Sequence, residues 1–224
     1  YASRGLGDVY KRQEKGKADV KFTARSNGGH ASAPSKGTPI ARLSAFVNEV
    51  ETHSPFRKKL LPEVSAMFTE LAPYAGFGMK LVFGNVWLFG PVLKAVMPAI
   101  SAQAGAMLKT TIAFTVQKGS DAYNVLPQEA YVGANMRFIP HQGEKESLEI
   151  IKKVADKYGL ETEVLHANDY TTPVDIHGEA FHLVEQTIAD TFPGLPSSPY
   201  VMTGATDAQF CLLYTSDAAD EARS

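Results

Sequence analysis

Residues 18–30 read Ala-Asp-Val-Lys-Phe-Thr-Ala-Arg-Ser-Asn-Gly-Gly-His, and the fold follows from this stretch. Val20, Phe22 and Ala24 alternate with Lys21, Thr23 and Arg25, the period of a strand with one buried face and one open face. Ser26-Asn27-Gly28-Gly29 ends the strand, since two glycines allow backbone angles closed to other residues. A helix comes next. Ile40, Leu43, Phe46, Val47 and Val50 recur at helical spacing, with Thr38 as the N-cap and Pro39 in the first turn.

Farther along, the strand period returns. Ile112, Phe114 and Val116 alternate with Thr111, Ala113 and Thr115. From Ala130, a core face of Val132, Ala134, Met136 and Phe138 opposes Gly133, Asn135 and Arg137. Glu144 to Tyr158 is a helix with Leu148, Ile151, Val154, Ala155 and Tyr158 on one side, and Gly159 stops it. Leu160 to Leu165 is a fourth strand. The order β-α-(insert)-β-β-α-β over 18–166 is a ferredoxin-like split βαβ unit of the α+β class. It predicts a four-stranded antiparallel sheet with helices on one face, leaving the other face or an edge strand for a partner.

The insert, about 54–109, is rich in Leu, Phe, Met and Pro and predicts several short helices. Phe83, Trp87, Leu88, Phe89, Leu93 and Met97 read most simply as a local core, with an apolar acyl-chain pocket or a lipid surface as the other uses. Lys80, Asn85 and Lys94 interrupt the run and argue against insertion across a membrane. After Pro173, Phe181, Val184 and Ile188 fit a helix and Tyr200-Val201-Met202 a short strand, the start of a second domain over 173–210.

A net charge of -2 on 224 residues gives no electrostatic case for nucleic acid. The two ends carry a further signal. Asp8-Val9-Tyr10-Lys11-Arg12-Gln13 back-translates to GATGTGTATAAGAGACAG, whose reverse complement, read one base in, encodes Cys211-Leu212-Leu213-Tyr214-Thr215 and begins Ser216. Residues 1–13 and 211–224 are therefore read as inverted sequencing-adapter DNA, leaving a lid domain over 14–172 and the second domain over 173–210. Cys211, the single cysteine, falls in the suspect tail, so thiolate sites are not expected in 14–210, and a cytoplasmic address is the expectation.

Four places can carry chemistry. His30 projects from a glycine turn and can supply a hydrogen bond, although an idle loop histidine is the plainer local reading. Arg137, on the open sheet face, can grip a carboxylate with two parallel bonds or form an ordinary ion pair. Asn124 can donate its amide to a carbonyl or simply form a turn. Gly204-Ala205-Thr206-Asp207 resembles a strand-to-helix turn whose N–H groups could hold an anion. His166, His177 and His182 have no metal-ligand spacing.

Gly28-Gly29-His30-Ala31-Ser32-x-Pro34, Asn124-Val125-Leu126-Pro127, Asn135-x-Arg137 and Gly204-Ala205-Thr206-Asp207 occur in that order. In this order they resemble the aminoacylase, carboxypeptidase S and carnosinase family of zinc hydrolases. The insert and the wording of 120–140 look most like the carboxypeptidase S branch. The resemblance implies an α/β catalytic domain with two zinc ions bridged by an aspartate and a water, and a glutamate as general base. It implies a lid inserted into that domain and paired with a second lid in a homodimer. His30 would then reach the partner's site as oxyanion stabiliser, Arg137 would hold the substrate carboxylate and Asn124 would assist. Gly204 and Thr206 would bind the same substrate end. Ala205 departs from the family's second glycine in that turn. The implied substrate is a small peptide or N-acyl amino acid, cleaved at an amide or peptide bond next to a free carboxylate. The family's His-x-Asp segment and paired glutamates are expected upstream of residue 14, and its last histidine ligand downstream of 210. The chain as given is thus expected to bind no catalytic zinc and to hydrolyse nothing. The competing reading is a stand-alone ferredoxin-like dimerisation or ligand-binding module, which leaves residues 176–210 without a purpose.

Overall fold

The computed structural model describes residues 11–170, 178–194 and 200–202. They divide into two units, one formed by Gly16–Arg57 and Thr110–Tyr170, the other holding Lys58–Lys109 and the described residues outside 16–170.

In chain order the first elements are β1 (Lys11–Glu14), β2 (Gly16–Arg25), the two-residue β3 (Gly29–His30) and α1 (Pro39–Thr52). The insert helices are α2 (Pro62–Leu71), α3 (Phe77–Gly84), α4 (Val86–Ile100) and α5 (Ala102–Ala106). Then come β4 (Thr111–Lys118), the two-residue β5 (Val125–Leu126), β6 (Glu129–Phe138), α6 (Gly143–Lys157), β7 (Glu161–Asn168), α7 (Glu179–Thr191) and β8 (Tyr200–Met202).

The first unit is the expected antiparallel sheet, in the order β4-β6-β2-β7. β2 pairs with β6 without a break, from Gly16 opposite Phe138 to Arg25 opposite Glu129. The alternation read from the sequence therefore becomes one continuous apolar face. Ala18, Val20, Phe22 and Ala24 of β2 and Ala130, Val132, Ala134, Met136 and Phe138 of β6 are all buried. Leu43, Phe46 and Val50 of α1 and Ile151, Val154 and Ala155 of α6 cover this face. Phe46 is the centre of an aromatic cluster, its ring 4.8 Å from Phe22 and 5.6 Å from Phe114. Such pairs add about 1 kcal/mol each beyond the area they bury.

The helix ends are held as the sequence suggests, with additions from afar. Thr38 Oγ1 accepts the Ala41 N–H and caps α1. The start of α6 is capped from the end of β7, where Asp169 Oδ1 accepts the Glu144 N–H at 3.0 Å. At its other end Gly159 takes φ +63°, and Arg42 of α1 donates to the carbonyls of Tyr158 and Gly159.

One residue departs from the simple alternation. The β4–β6 register slips between Phe114 and Val116, so Val116 faces Gly133 rather than a core position of β6. A one-residue slip turns a side chain to the opposite sheet face. Val116 is accordingly exposed, and a Cβ on Gly133 would lie 3.1 Å from it.

In the second unit β1 and β8 pair in parallel. The insert is helical, as its prolines and apolar runs predict; Pro62 begins α2, while Pro91 and Pro98 lie within α4. The local-core reading needs correction at two residues. Leu93 and Met97 are buried, and Phe83 stacks on Phe68 at 4.7 Å, but Trp87 and Leu88 point outward. They fall between Val86 and Gly90, off the inward stripe of Val86, Gly90, Leu93 and Met97.

Candidate functional site

His30 and Asn124 meet at one end of the sheet. Gly29 and His30 pair with Leu126 and Val125, and the Ala31 N–H donates to the Asn124 carbonyl at 2.9 Å. This small ribbon depends on glycine. Gly28 and Gly29 take φ +70° and +146°, and a Cβ on Gly28 would lie 2.8 Å from the Gln128 side chain. Ser26 fastens the turn: its hydroxyl donates to the Pro127 carbonyl and accepts the Gly28 N–H.

The His30 ring is exposed but held in place. The Ser32 backbone N–H donates to Nδ1 at 3.2 Å, and Ser32 Oγ lies 2.8 Å from the same nitrogen. A peptide N–H is always a donor, so Nδ1 is the acceptor and the neutral ring carries its proton on Nε2. That N–H has no hydrogen-bond partner among the described residues, which leaves it free to donate to an oxygen outside the loop. Nearby, the Asn124 side-chain amide is exposed and makes no hydrogen bond among the described residues.

Arg137 stands at the other end. It lies opposite Lys17 on β2 and Thr111 on β4, while Glu129 at the His30 end of β6 lies opposite Arg25. Eight residues of strand separate Arg137 from Glu129, about 26 Å at the usual rise. His30 lies beyond that end of the sheet. Within one chain, therefore, the structure brings His30 and Asn124 together and keeps Arg137 away from them.

The surroundings of Arg137 are polar and ordered. Its Nε donates to Asn135 Oδ1 at 3.0 Å, and Asn135 Nδ2 donates to Asp19 Oδ1 at 2.7 Å. Lys17 pairs with Asp19 at 3.1 Å. The Asn135 hydrogen bond, with Lys17 beside it, holds the Asp19 carboxyl below its ordinary range despite some desolvation. Asn135 thus faces Asp19 with its amide and Arg137 with its carbonyl, which orients the guanidinium. The terminal nitrogens of Arg137 have no partner among the described residues and are available for a two-pronged grip on a carboxylate.

Sequence reading missed Ser26, Ser32, Asp19 and Lys17 as supporting residues. Ser32 had a usable signal, since a serine two residues after a turn histidine can fold back on the ring. The Asp19–Asn135 bond had none, because only strand register makes them opposite neighbours. A cleft of about 460 Å³ lies at the start of α6, with Glu144, Glu146, Glu149 and Asp169 among its walls. No predicted site residue lines it, and its carboxylates would repel an anionic substrate. Gly204 and Thr206 lie outside the described residues. Among the described residues, no group of three or more His, Cys, Asp or Glu side chains is placed to hold a metal ion, so these residues do not fit a zinc pair.

A peptidase dimerisation domain matches residues 12–163. The N-fatty-acyl-amino acid synthase/hydrolase PM20D1 of Xenopus tropicalis is 30% identical over 204 residues, covering 88% of this chain and 38% of the relative. Its human counterpart is 30% identical over 201 residues, with 88% of this chain and 40% of the relative covered. A carboxypeptidase S-like protein of Dictyostelium discoideum is 26% identical, with 88% and 37% covered. The chain thus spans well under half the length of these relatives. Among solved structures, an M20 family metallo-carboxypeptidase of Sulfolobus solfataricus superposes with TM-score 0.57 at 16% identity, covering 90% of this chain and 56% of the other. Human carnosine dipeptidase 1 gives 0.56 at 10% identity, covering 91% and 47%. These likenesses carry the fold, and the domain match over most of the sequence carries the family. The chain belongs to the M20 peptidase dimerisation domain family.

Proposed function

We propose that this chain is a piece of a longer dimeric hydrolase, carrying its lid and the start of its catalytic domain, and that the whole enzyme cleaves an amide or peptide bond next to a free carboxylate. Its substrates would be small peptides or N-acyl amino acids, the second in keeping with the names of the 30%-identical relatives. Residues beyond those described would hold the two zinc ions that the family resemblance implies. The 224 residues alone are proposed to be inactive, since no His-x-Asp metal-ligand segment or paired glutamate of the family's kind occurs in them.

The observation that carries this reading is the His30 ring, fixed through Nδ1 with its Nε2–H unpartnered among the described residues, on a turn whose backbone is bonded to Asn124. In the proposed reaction, Nε2–H donates to the substrate carbonyl oxygen as it becomes an oxyanion, a task for a preset donor rather than a base. The Asn124 amide gives a second donor to the same region. Arg137, steadied by Asn135, binds the substrate carboxylate.

The separation of His30 and Arg137 supports a role for the dimer in completing each site. In an amino-acid amide, the scissile carbonyl and the free carboxylate are only about 5 Å apart. One chain cannot span that substrate with two side chains whose strand positions lie about 26 Å or more apart. Each site of a two-fold dimer would therefore take His30 and Asn124 from one lid and Arg137 from the other. His30→Ala in the longer enzyme is expected to lower turnover while zinc content and dimerisation stay intact. Unchanged turnover would refute the role of His30.

A further inference from the structure

The helical insert presents an apolar surface that the catalytic reading does not use. Its helix α4 is apolar on both sides: Val86, Gly90, Leu93 and Met97 pack inward, while Leu88, Val92, Val96 and Ile100 form a second stripe facing out. Trp87, beside that stripe, is 81% exposed. Helix α3 has no buried residue and adds Phe77, at 88% exposure, with Met79 and Leu81. A helix apolar all round is ordinarily enclosed by protein or lipid. Exposed apolar patches of this extent are uncommon on a free surface.

Charge indicates which cover fits. Between Glu70 and Asp121 the sequence has no acidic residue, and the only charges within α3 and α4 are Lys80 and Lys94. Lys58 and Lys59 add positive charge just ahead of α2. An apolar surface carrying Trp and Tyr, edged by lysine and free of carboxylates, matches the interfacial zone of an anionic bilayer. Tyr74, just before α3, is also exposed.

Neither α3 nor α4 is by itself a membrane span. No single helix among the described residues is long and apolar enough to cross a membrane, and α3 and α4 meet at a bend of 109°. The 15 residues of α4 reach about 22 Å, short of the roughly 30 Å hydrocarbon core. We propose that the outward faces of α3 and α4 form a docking surface for an anionic lipid bilayer, with both helices lying in the interfacial plane.

The test uses Trp87, the only tryptophan, as its reporter. The full chain is floated with vesicles of phosphatidylcholine alone and of phosphatidylcholine mixed with phosphatidylglycerol, and its tryptophan emission is recorded. The expected result is flotation, stronger with phosphatidylglycerol, and a blue shift of the emission. Leu88→Ser/Val92→Ser/Ile100→Ser, all at exposed positions, is expected to weaken partitioning by more than about tenfold. Lys80→Glu/Lys94→Glu is expected to remove the preference for phosphatidylglycerol. Absence of flotation, equal flotation of the triple variant or a preference unchanged by the lysine variant would each overturn the proposal. So would sedimentation showing that a second copy occupies this face without lipid, with the oligomer dispersed by the triple variant.

Discussion

A mixed dimer tests the separation of His30 from Arg137 directly. One copy of the longer enzyme carries His30→Ala and the other Arg137→Ala, with different affinity tags so that the heterodimer can be purified. Each change made in both copies damages both sites. Loss of one preset oxyanion donor lowers kcat by roughly 10²–10³, and loss of the carboxylate grip raises KM as well. In the heterodimer the outcome depends on geometry. Strand register places His30 beyond the Arg25 end of β2 and Arg137 opposite Lys17 at its start, more than about 26 Å apart. If each site draws the two residues from different lids, one site keeps both and the other loses both. The purified heterodimer then retains about half of wild-type kcat, with a wild-type KM in its working site. If both residues served a site from the same lid, every site would be damaged and the heterodimer would be as poor as its parents. The assay is steady-state hydrolysis of an N-acyl amino acid, with zinc content and dimer mass measured on the same samples. A heterodimer with activity near the homodimeric variants would refute the reasoning.

Other expected outcomes follow from the same contacts. Gly28→Ala forces a Cβ to within 2.8 Å of Gln128 at φ +70°, so it is expected to cost about 1–3 kcal/mol in urea unfolding and to lower turnover by displacing His30. Ser32→Ala keeps the backbone N–H on Nδ1 but removes the hydroxyl; the neutral ring stays the Nε2–H tautomer by ¹⁵N NMR, with kcat reduced less than about tenfold. Asn135→Ala removes the largest cause of the lowered Asp19 carboxyl. That carboxyl stabilises the fold above its unfolded value near 3.9, and the contribution is lost as pH falls through the lower folded value. Urea midpoints of the variant and parent are therefore expected to differ at neutral pH and to converge in strong acid. Phe46→Ala empties the centre of the aromatic cluster and is expected to cost about 3–5 kcal/mol, read from the urea midpoint.

How far the site could be read from sequence varies by residue. The glycine pair made His30 a candidate, because only a turn of that kind exposes the ring from a short loop. The alternation along β6 assigns Arg137 to the open face, and its half-exposed position there agrees. Neither observation gave the distance between them. The slip at Phe114–Val116 was equally invisible, because a bulge changes which residues face each other without changing the hydrophobic pattern along the strand. Trp87 and Leu88 looked like core because composition reports apolarity without saying what lies on the other side.

By itself the sequence determined the class of fold and its order of elements, through side-chain periods of two and 3.6 that are properties of a single segment. It also placed the helix start at Thr38 and the stop at Gly159, where local backbone chemistry suffices. Tertiary structure alone decided that His30 and Asn124 share one end of the sheet and Arg137 holds the other. It alone joined Asp19 to Asn135 across two strands and turned one apolar stripe of α4 outward. These are relations between segments, set by register and packing, and no local period encodes them.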